Sequence, residues 1–288
     1  MTIATENIKV RKVDFDVKNI KRHYAANNIF ATHFLNAMHI VFPEGEKFFI
    51  RSARHYLTEI KDDKDLVERV KRFIGQEGVH NKEHQKFWDI LDEMGLKPYP
   101  FAKFYSRTAY KYWENGFLGL FGKKRKALLS LSVTSALEHF TALLGDGALK
   151  ENPFGELPKN VWALLQWHAA EELEHKSVCF DLYEKVGGDY PTRVAGMLMA
   201  SFLLWVYIFG GQIYFIANDK EKDLSSLPKE FFEFWKLLLQ SKAIRNLFKM
   251  YLDYYKVGFH PDDHENYGLA ENFFKEHKAY FEEMGVAV

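Results

Sequence analysis

The sequence predicts an all-α protein built around a bundle of four helices. Apolar residues recur roughly every three to four positions through most of the chain, which is the spacing of one helix face. No stretch has the sustained alternation of apolar and polar residues that is typical of a β-sheet. Glycines, prolines and charged turns divide the helical stretches into two hairpins joined by a crossover. We therefore expect an N-terminal arm at residues 1–25, a four-helix bundle at 26–190 and a C-terminal helical extension at 191–288.

The first hairpin comprises two predicted helices, at residues 26–60 and 64–94. Pro43 interrupts the first of them, and because proline cannot donate the hydrogen bond that a helix interior requires, we expect a bend or restart there. The second helix is predicted to end at Gly95, since glycine readily adopts the left-handed conformation common at helix C termini. The chain then enters a crossover at residues 95–124 that contains a short aromatic helix.

The second hairpin comprises predicted helices at residues 124–150 and 159–185. Residues 194–217 follow without a charged side chain, and about 20 apolar residues are enough to cross a bilayer. The same composition suits a helix buried in a large bundle, so the extension either packs on the bundle or contacts a membrane. Two more helices are predicted at 229–257 and 266–284. The amphipathic face of the first suits packing on the bundle, lining a tunnel or forming a homodimer.

Composition narrows the partners and the compartment. Lys plus Arg equals Asp plus Glu at 39 each, so no excess basic charge is available to bind a nucleic-acid backbone, and no nucleic-acid partner is expected. The single cysteine, Cys179, excludes an internal disulfide, and the first residues lack the apolar segment of a secretory signal. These features predict a cytoplasmic protein, membrane-associated if residues 194–217 contact a bilayer. Aromatic residues make up 16% of the chain, which suits an apolar cavity for a hydrophobic small molecule or lipid-like substrate.

Two short motifs place a glutamate and a histidine three residues apart. Glu77 and His80 lie in QEGVH, and Glu172 and His175 lie in EELEH. Residues at this spacing project from one face of a helix, so each pair can chelate a metal ion. A single pair of this kind is ordinary on a solvated helix face. Its repetition, once in each hairpin, favours metal binding.

The position of the motifs along the hairpins adds further candidate ligands. Glu46 lies about as far before the first turn as Glu77 and His80 lie after it, and at ~1.5 Å per residue the three meet at one height. Glu138 has the same relationship to the second motif. It stands in an apolar segment, where an ionised carboxylate needs a cation nearby. Glu44 is a rival to Glu46, because the Pro-Gly context blurs the helical phase there.

His168 shares a helical stripe with Glu172 and His175 in the segment HAAEELEH. We interpret it as a seventh ligand; the alternative is a core histidine that donates to a ligand carboxylate. Gln76 and Glu171, each preceding a ligand glutamate, are candidates for orienting the ligand imidazoles. The complete set of candidate ligands is Glu46, Glu77, His80, Glu138, His168, Glu172 and His175.

One glutamate from each of two helices and a Glu-x-x-His motif from each of the other two form the ligand set of ferritin-like four-helix bundles with a dinuclear metal site. Carboxylates are hard ligands that bridge and balance two cations, and the scarcity of thiolates disfavours zinc. We therefore expect two iron ions, with manganese or a mixed Mn/Fe pair as alternatives.

The order of these residues resembles the ligand order of the di-iron arylamine N-oxygenases, such as p-aminobenzoate N-oxygenase, in which an extra histidine is the distinguishing feature. A wider set of segments, including FPEGEKFF, QEGVHNKEH, SALEHFTA, WHAAEELEHKSVCFDLY and GFHP, resembles a bacterial family described as predicted metal-dependent hydrolases. That second resemblance spans about residues 30–265 and is the closer one. It implies metal binding, whereas arylamine specificity does not carry over from the first.

Three functions are compatible with this ligand set. The leading expectation is a di-iron oxidase or oxygenase that uses O2 and an electron donor to hydroxylate or N-oxygenate a hydrophobic substrate, because carboxylate-rich sites in helical bundles favour oxygen chemistry. The alternative is a metal-dependent hydrolase that uses a metal-bridging hydroxide. The third is iron binding or storage without catalysis. No catalytic residue separate from the ligands is predicted.

Overall fold

The computed structural model describes residues 7–288, and every regular element in that range is helical, which confirms the all-α prediction. The first six residues of the predicted arm lie outside the described residues. Residues 8–28 run as an arm of extended segments and turns to the start of the first helix. The α-helices are α1 (Ile29–His55), α2 (Lys64–Glu93), α3 (Pro98–Ser106), α4 (Gly122–Lys150), α5 (Lys159–His175), α6 (Val178–Lys185), α7 (Tyr190–Asn218), α8 (Leu227–Gln240), α9 (Lys242–Asp253), α10 (Tyr267–Glu276) and α11 (Lys278–Glu283).

Local capping sets the ends of the first hairpin, in which α1 packs on α2. The Asn28 side chain accepts hydrogen bonds from the first backbone amides of α1, and the Asp63 side chain does the same for α2. The predicted stop at Gly95 is confirmed, since this glycine has a φ of +74° and directly follows the C-cap of α2.

Helix α1 continues through Pro43, so the predicted restart there is wrong. Proline cannot donate to the carbonyl four residues earlier, which is that of His39. The indole N–H of Trp88 in α2 donates to this carbonyl oxygen at 2.9 Å. A neighbouring helix therefore supplies the hydrogen bond that Pro43 cannot make, and α1 runs on to carry Glu46 beside α2.

The predicted helix at residues 159–185 is divided into α5 and α6, with the break directly after His175. Lys176, at the break, is 2% exposed. Its ammonium donates to the backbone oxygen of His264 and to Oδ1 of Asn266 at 2.8 Å. These contacts with the C-terminal segment satisfy a buried charge, and sequence periodicity cannot reveal them.

The crossover contains more helix than predicted. Helix α3 leads into a π-helix at Arg107–Phe117 and a 3₁₀ helix at Leu118–Phe121. π-Helical turns are rare and occur frequently at functional sites. Several side chains of this π-helix line a cavity beside the candidate site, which is described below.

Helix α7 packs between α1 and α4 through two glycines. A Cβ atom on Gly196 would lie 2.0 Å from Oγ of Ser132 in α4, and one on Gly211 would lie 2.9 Å from the Cβ of Ala37 in α1. The backbones therefore approach too closely at these points for a larger residue. The opposite face of α7 is exposed along its length, at Leu198, Phe202, Val206 and Ile213.

Residues 194–217 were predicted either to pack on the bundle or to contact a membrane. In the structure, one face of α7 packs on the bundle and the other face is exposed. Two stretches are long and apolar enough to cross a membrane by length and composition alone, Pro98–Lys150 and Tyr190–Asn218. The most apolar window of the first is mostly buried, and that of the second is less so. Core helices of soluble proteins have the same length and composition.

The two predicted C-terminal helices, at 229–257 and 266–284, are each divided in two. The first is broken at Ser241, whose hydroxyl oxygen accepts from the amide of Ile244 at 3.1 Å and so caps α9. The second is broken at His277. Helix α9 packs on α4 and α10 packs on α5, so these short helices cover the second hairpin.

Candidate metal centre

The seven predicted ligands come from four helices and lie together in the interior. Helix α1 supplies one carboxylate, α2 a glutamate and a histidine, α4 one carboxylate and α5 the remaining three residues. None of the seven is more than 5% exposed. Their ligand atoms form overlapping groups within 4.8 Å of one another. The matched heights expected from the two hairpins are therefore found in the structure.

One of these groups surrounds His175. Its Nε2 atom lies 3.2 Å from Oε1 of Glu77, 3.2 Å from Oε2 of Glu138 and 3.3 Å from Oε2 of Glu172. Three carboxylates and one imidazole thus converge on a common point, and we call this group the first subsite. Four protein ligands of these types suit a hard or borderline divalent cation.

A second group surrounds His80. Its Nδ1 atom lies 3.7 Å from Oε1 of Glu77 and 3.5 Å from Oε1 of Glu172, and Glu46 joins Glu77 and His80 within 4.8 Å. We call this group the second subsite. Glu77 and Glu172 belong to both subsites, so each is placed to bridge two cations, as carboxylates do in dinuclear bundle sites.

The hydrogen bonding of these atoms fits two cations. Buried carboxylates normally accept several hydrogen bonds, because burying an ionised group without compensation is costly. Here the contacts of Nδ1 of His80 and Nε2 of His175 with the carboxylates lack hydrogen-bond geometry. Among residues 7–288, no hydrogen-bond partner exists for either carboxylate oxygen of Glu46, Glu77 and Glu138, for Oε2 of Glu172, for Nδ1 of His80 or for Nε2 of His175. These are the atoms that face one another across the two subsites.

The pKa values of residues in the cluster also fit a site for cations. Burial and the neighbouring Glu77 raise the pKa of Glu138 to about 8 and hold the pKa of Glu46 well above its usual value. For His80, burial lowers the pKa, but the contacts with Glu171 and Glu77 outweigh it and raise the pKa to about 10. Without cations, protons would therefore carry the charge that balances these carboxylates.

The outer ring nitrogens of both ligand histidines have defined partners. Nε2 of His80 donates to Oε2 of Glu171 at 3.1 Å, and Nδ1 of His175 donates to Oε1 of Gln76 at 2.9 Å. Each hydrogen bond fixes the tautomer and directs the other ring nitrogen into the cluster. The structure thus places both residues, Gln76 and Glu171, where the sequence interpretation expected orienting partners.

Arg11, in the N-terminal arm, extends this outer layer. Its guanidinium donates to Glu171 at 3.0 Å and to both carboxylate oxygens of Glu174 at 2.7 and 2.8 Å. Glu174 in turn accepts from Nε2 of Gln76 at 2.8 Å. One arginine therefore supports both ligand histidines through two carboxylates. Sequence reasoning assigned no chemistry to the arm, and no local pattern around Arg11 marks it.

His168 contacts a chain of two further histidines. Its Nδ1 atom lies 2.6 Å from Nε2 of His84, whose Nδ1 lies 2.7 Å from Nδ1 of His39. Its Nε2 atom lies 2.7 Å from Oε1 of Glu172. The alternative role, a histidine donating to a ligand carboxylate, is compatible with this geometry. His84 is fully buried. The sequence did not predict the contact between His39 and His84.

Glu44, the rival of Glu46, points elsewhere. Its Oε1 atom accepts from the ammonium of Lys47 at 2.7 Å. Glu46 instead belongs to the buried groups around His80 and His168. The helical phase through Pro43, which the sequence left ambiguous, therefore places Glu46 and not Glu44 in the cluster.

A comparison with protein families agrees with a metal site in this protein. The family model described as predicted metal-dependent hydrolase matches residues 9–265, which is most of the chain. The protein belongs to this family of predicted metal-dependent hydrolases. No curated protein and no solved structure shows a significant match. The family match supports metal dependence and leaves the identity of the metal open.

Membership of the hydrolase family corrects the leading functional expectation. An O2-dependent di-iron oxidase or oxygenase is contradicted, and the alternative, a metal-dependent hydrolase, is supported. The resemblance to the arylamine N-oxygenases receives no support from the match. The physical reason for the error is that carboxylate and imidazole ligands hold cations for Lewis-acid chemistry as well as for redox chemistry, so the ligand types alone do not select the reaction.

Proposed function

We propose that this protein is a hydrolase that depends on two divalent metal ions held in the two subsites. The observation that carries the proposal is the convergence of buried carboxylate oxygens without hydrogen-bond partners on two ligand histidines. In this assignment Glu77 and Glu172 would serve both ions, and His168 would be a seventh ligand through Nε2. The proposed ligands are Glu46, Glu77, His80, Glu138, His168, Glu172 and His175.

We also assign the four helices that bear these residues, α1, α2, α4 and α5, to a ferritin-like bundle, because ligands projecting inward from two hairpins are the hallmark of that arrangement. Iron and manganese are the ions we expect, since the site is rich in hard carboxylates and the buried Cys179 lies outside the groups of ligand atoms.

Two divalent cations in these subsites would supply Lewis-acid activation of the scissile group and would lower the pKa of a water molecule. The chain's own residues provide the setting for that chemistry. Gln76 and Glu171 hold the ligand imidazoles in fixed tautomers, and Arg11 balances the charge of the outer carboxylates. Trp167 donates to Glu171 at 3.1 Å and covers His80 edge-on, which keeps bulk water from this side of the site.

The test begins with protein stripped by a chelator and reloaded with iron, manganese, cobalt or zinc, with bound metal counted by elemental analysis. Carboxylic esters, amides and phosphoesters are then assayed for hydrolysis. We expect two ions per chain and metal-dependent hydrolysis of one class. Glu138→Gln should abolish both, and His55→Ala, which alters an exposed histidine, should preserve both. Hydrolysis that persists in a Glu138→Gln protein without metal, or fully loaded protein that hydrolyses none of the classes, would overturn the proposal.

A further inference from the structure

Two apolar cavities adjoin the metal centre and share part of their walls. The first lies between α1, the π-helix, α4 and α7 and measures about 1000 Å³, counting the part open to solvent. The second lies between α1, α4, α5 and α9 and measures about 710 Å³ on the same basis. The residues common to both walls are Phe42, Thr141, Leu144, His168 and Glu172. The cavities are therefore adjacent at these five residues, which we call the junction, beside the second subsite.

Apart from the indole N–H of Trp162, the polar side-chain groups in the second cavity lie at this junction. Its lining includes one hydroxyl, one imidazole and one carboxylate, which belong to Thr141, His168 and Glu172, and all three residues are shared with the first cavity. The remaining wall consists of apolar and small residues, including Leu35, Pro153 and the indole of Trp162. Most polar side-chain atoms available to a group on a bound molecule therefore lie at the junction, where the Thr141 hydroxyl donates to the backbone oxygen of Glu138 at 3.0 Å and can still accept.

Three polar side chains on the outer wall of the first cavity are already engaged. Glu114 accepts from the guanidinium of Arg51 at 2.8 Å, and the hydroxyl of Tyr207 donates to Thr108 at 2.9 Å. The hydroxyl of Tyr110 donates to a backbone oxygen of α1. Among the described residues that line it, the wall offers no unpaired cation for an acidic head group. Both cavities thus fit apolar chains, and the junction fits the reacting group.

We propose that the substrate is an uncharged ester or amide with an apolar chain on each side of the acyl bond. The bond lies at the junction, one chain occupies the first cavity and the other occupies the second. Hydrolysis adds the hydroxyl of water to the acyl carbon and its remaining hydrogen to the leaving oxygen or nitrogen. The products are a carboxylic acid and an alcohol or amine, and no electron donor is consumed. This inference rests on the proposed hydrolase function.

The shape of the site favours two chains over one. A molecule with a single apolar tail would leave one cavity wall in contact with water, and burial of apolar surface is the main favourable term in binding such ligands. A two-sided molecule covers both walls while its one polar group remains beside Thr141, His168 and Glu172.

Binding is tested apart from catalysis with two ethers that cannot be hydrolysed. One is a dialkyl ether with a bromine at the end of each long chain. The other is an alkyl methyl ether with a single brominated chain. Bromine quenches tryptophan fluorescence on contact, Trp113 lines the first cavity, and Trp162 lines the second. We expect the ether with two brominated chains, the two-sided ether, to quench the fluorescence of both tryptophans with a single dissociation constant. Trp113→Phe and Trp162→Phe should each remove the part of the quenching that comes from the cavity which that residue lines.

Cavity-filling variants supply a second measurement. Ala109→Phe fills the first cavity and Ala148→Phe fills the second, while Ala279→Phe alters an exposed alanine outside both. Each filling variant should weaken binding of the two-sided ether by tenfold or more. The control variant should bind as the unaltered protein does. The inference would be overturned if the two-sided ether quenched the fluorescence of one tryptophan only. It would also be overturned if both filling variants bound this ether as tightly as the unaltered protein does.

Activity on esters separates this inference from the proposed function. Metal-loaded protein should hydrolyse an ester with two long chains with a kcat/KM at least tenfold higher than that of either ester shortened on one side. Equal kcat/KM values for all three esters would overturn the two-chain assignment while supporting the hydrolase. Tight two-sided ether binding without hydrolysis of any ester, amide or phosphoester would overturn the hydrolase while supporting the two-chain site.

Discussion

Nε2 of His80 donates a hydrogen bond to Oε2 of Glu171 at 3.1 Å, and this contact directs Nδ1 of His80 toward Glu77 and Glu172. Glu171 and its neighbour Glu172 therefore have different tasks, since one orients a histidine and the other faces the subsites. Partners of this kind commonly affect metal affinity by one to two orders of magnitude.

Removal of this acceptor should weaken metal binding. We expect Glu171→Ala to lower the affinity for the bound ions roughly 10- to 100-fold, because His80 loses the hydrogen bond that fixes its tautomer. Glu171→Gln retains an oxygen that can accept from Nε2 and should keep most of the affinity. Competition with a chelating dye measures the effect. Equal affinities for the alanine variant and the unaltered protein would exclude an orienting role.

The ligand histidines themselves should be essential for metal and dispensable for the helical fold. His80→Ala and His175→Ala should each lose bound metal while their circular dichroism remains that of a helical protein. Both residues are fully buried at the centre of the ligand groups. His55→Ala, on the exposed side of α1, serves as the control. Retention of two ions by both variants would show that the site lies elsewhere.

Metal affinity should rise with pH. Metal ligands must be deprotonated, and in the absence of cations the pKa of Glu138 is raised to about 8 and that of His80 to about 10. At neutral pH the cations must therefore displace protons, and each displaced proton makes binding tighter as pH increases. Calorimetric titrations in buffers of different ionisation enthalpy should show proton release. Binding without proton release between pH 6 and pH 8 would contradict these protonation states.

Glu138→Gln should stabilise the metal-free protein at mildly alkaline pH. The pKa of Glu138 is raised from 4.5 to about 8 in the folded state, so between these values the folded protein holds a proton that the unfolded chain has lost. Stability is thus lost as pH rises through this window, and the neutral amide removes the dependence. We expect a gain of about 4 kcal/mol near pH 8 and none at or below pH 4.5. Thermal unfolding of chelator-treated samples at both pH values measures it, and an equal gain at both would point to a cause other than titration.

Arg11→Met should affect both the site and the stability of the fold. The change leaves Glu171 and Glu174 buried without their cation, and breaking a buried ion pair in this way costs about 3–5 kcal/mol. Metal affinity should fall as well, since both carboxylates support ligand histidines. Arg125→Met removes an exposed ion pair with Asp189 at 3.4 Å and should change neither quantity. Unaltered metal affinity in the Arg11 variant would confine the arm to a structural role.

Much of the fold was predictable because its signals are local. The stop of α2 at Gly95 and the helical stretches themselves depend on spacing and on residues within a turn of one another. Predictions failed where distant segments intervened. Trp88 satisfies the carbonyl that Pro43 leaves free, and the contacts of Lys176 with the C-terminal segment accompany the break between α5 and α6. Neither contact has a sequence pattern, because its partners are far apart along the chain.

The sequence by itself determined that the protein is helical and that two Glu-x-x-His motifs and two further glutamates would lie at matched heights, since helical rise and periodicity follow from the backbone alone. Only the tertiary structure decided that Glu77 and Glu172 are shared between two subsites, that Glu46 and not Glu44 faces them, and that Arg11 of the arm holds Glu171 and Glu174 beside the histidines. These relationships depend on how side chains from separate helices and from the arm pack against one another. Because these side chains are buried away from water, each of their charges requires a partner.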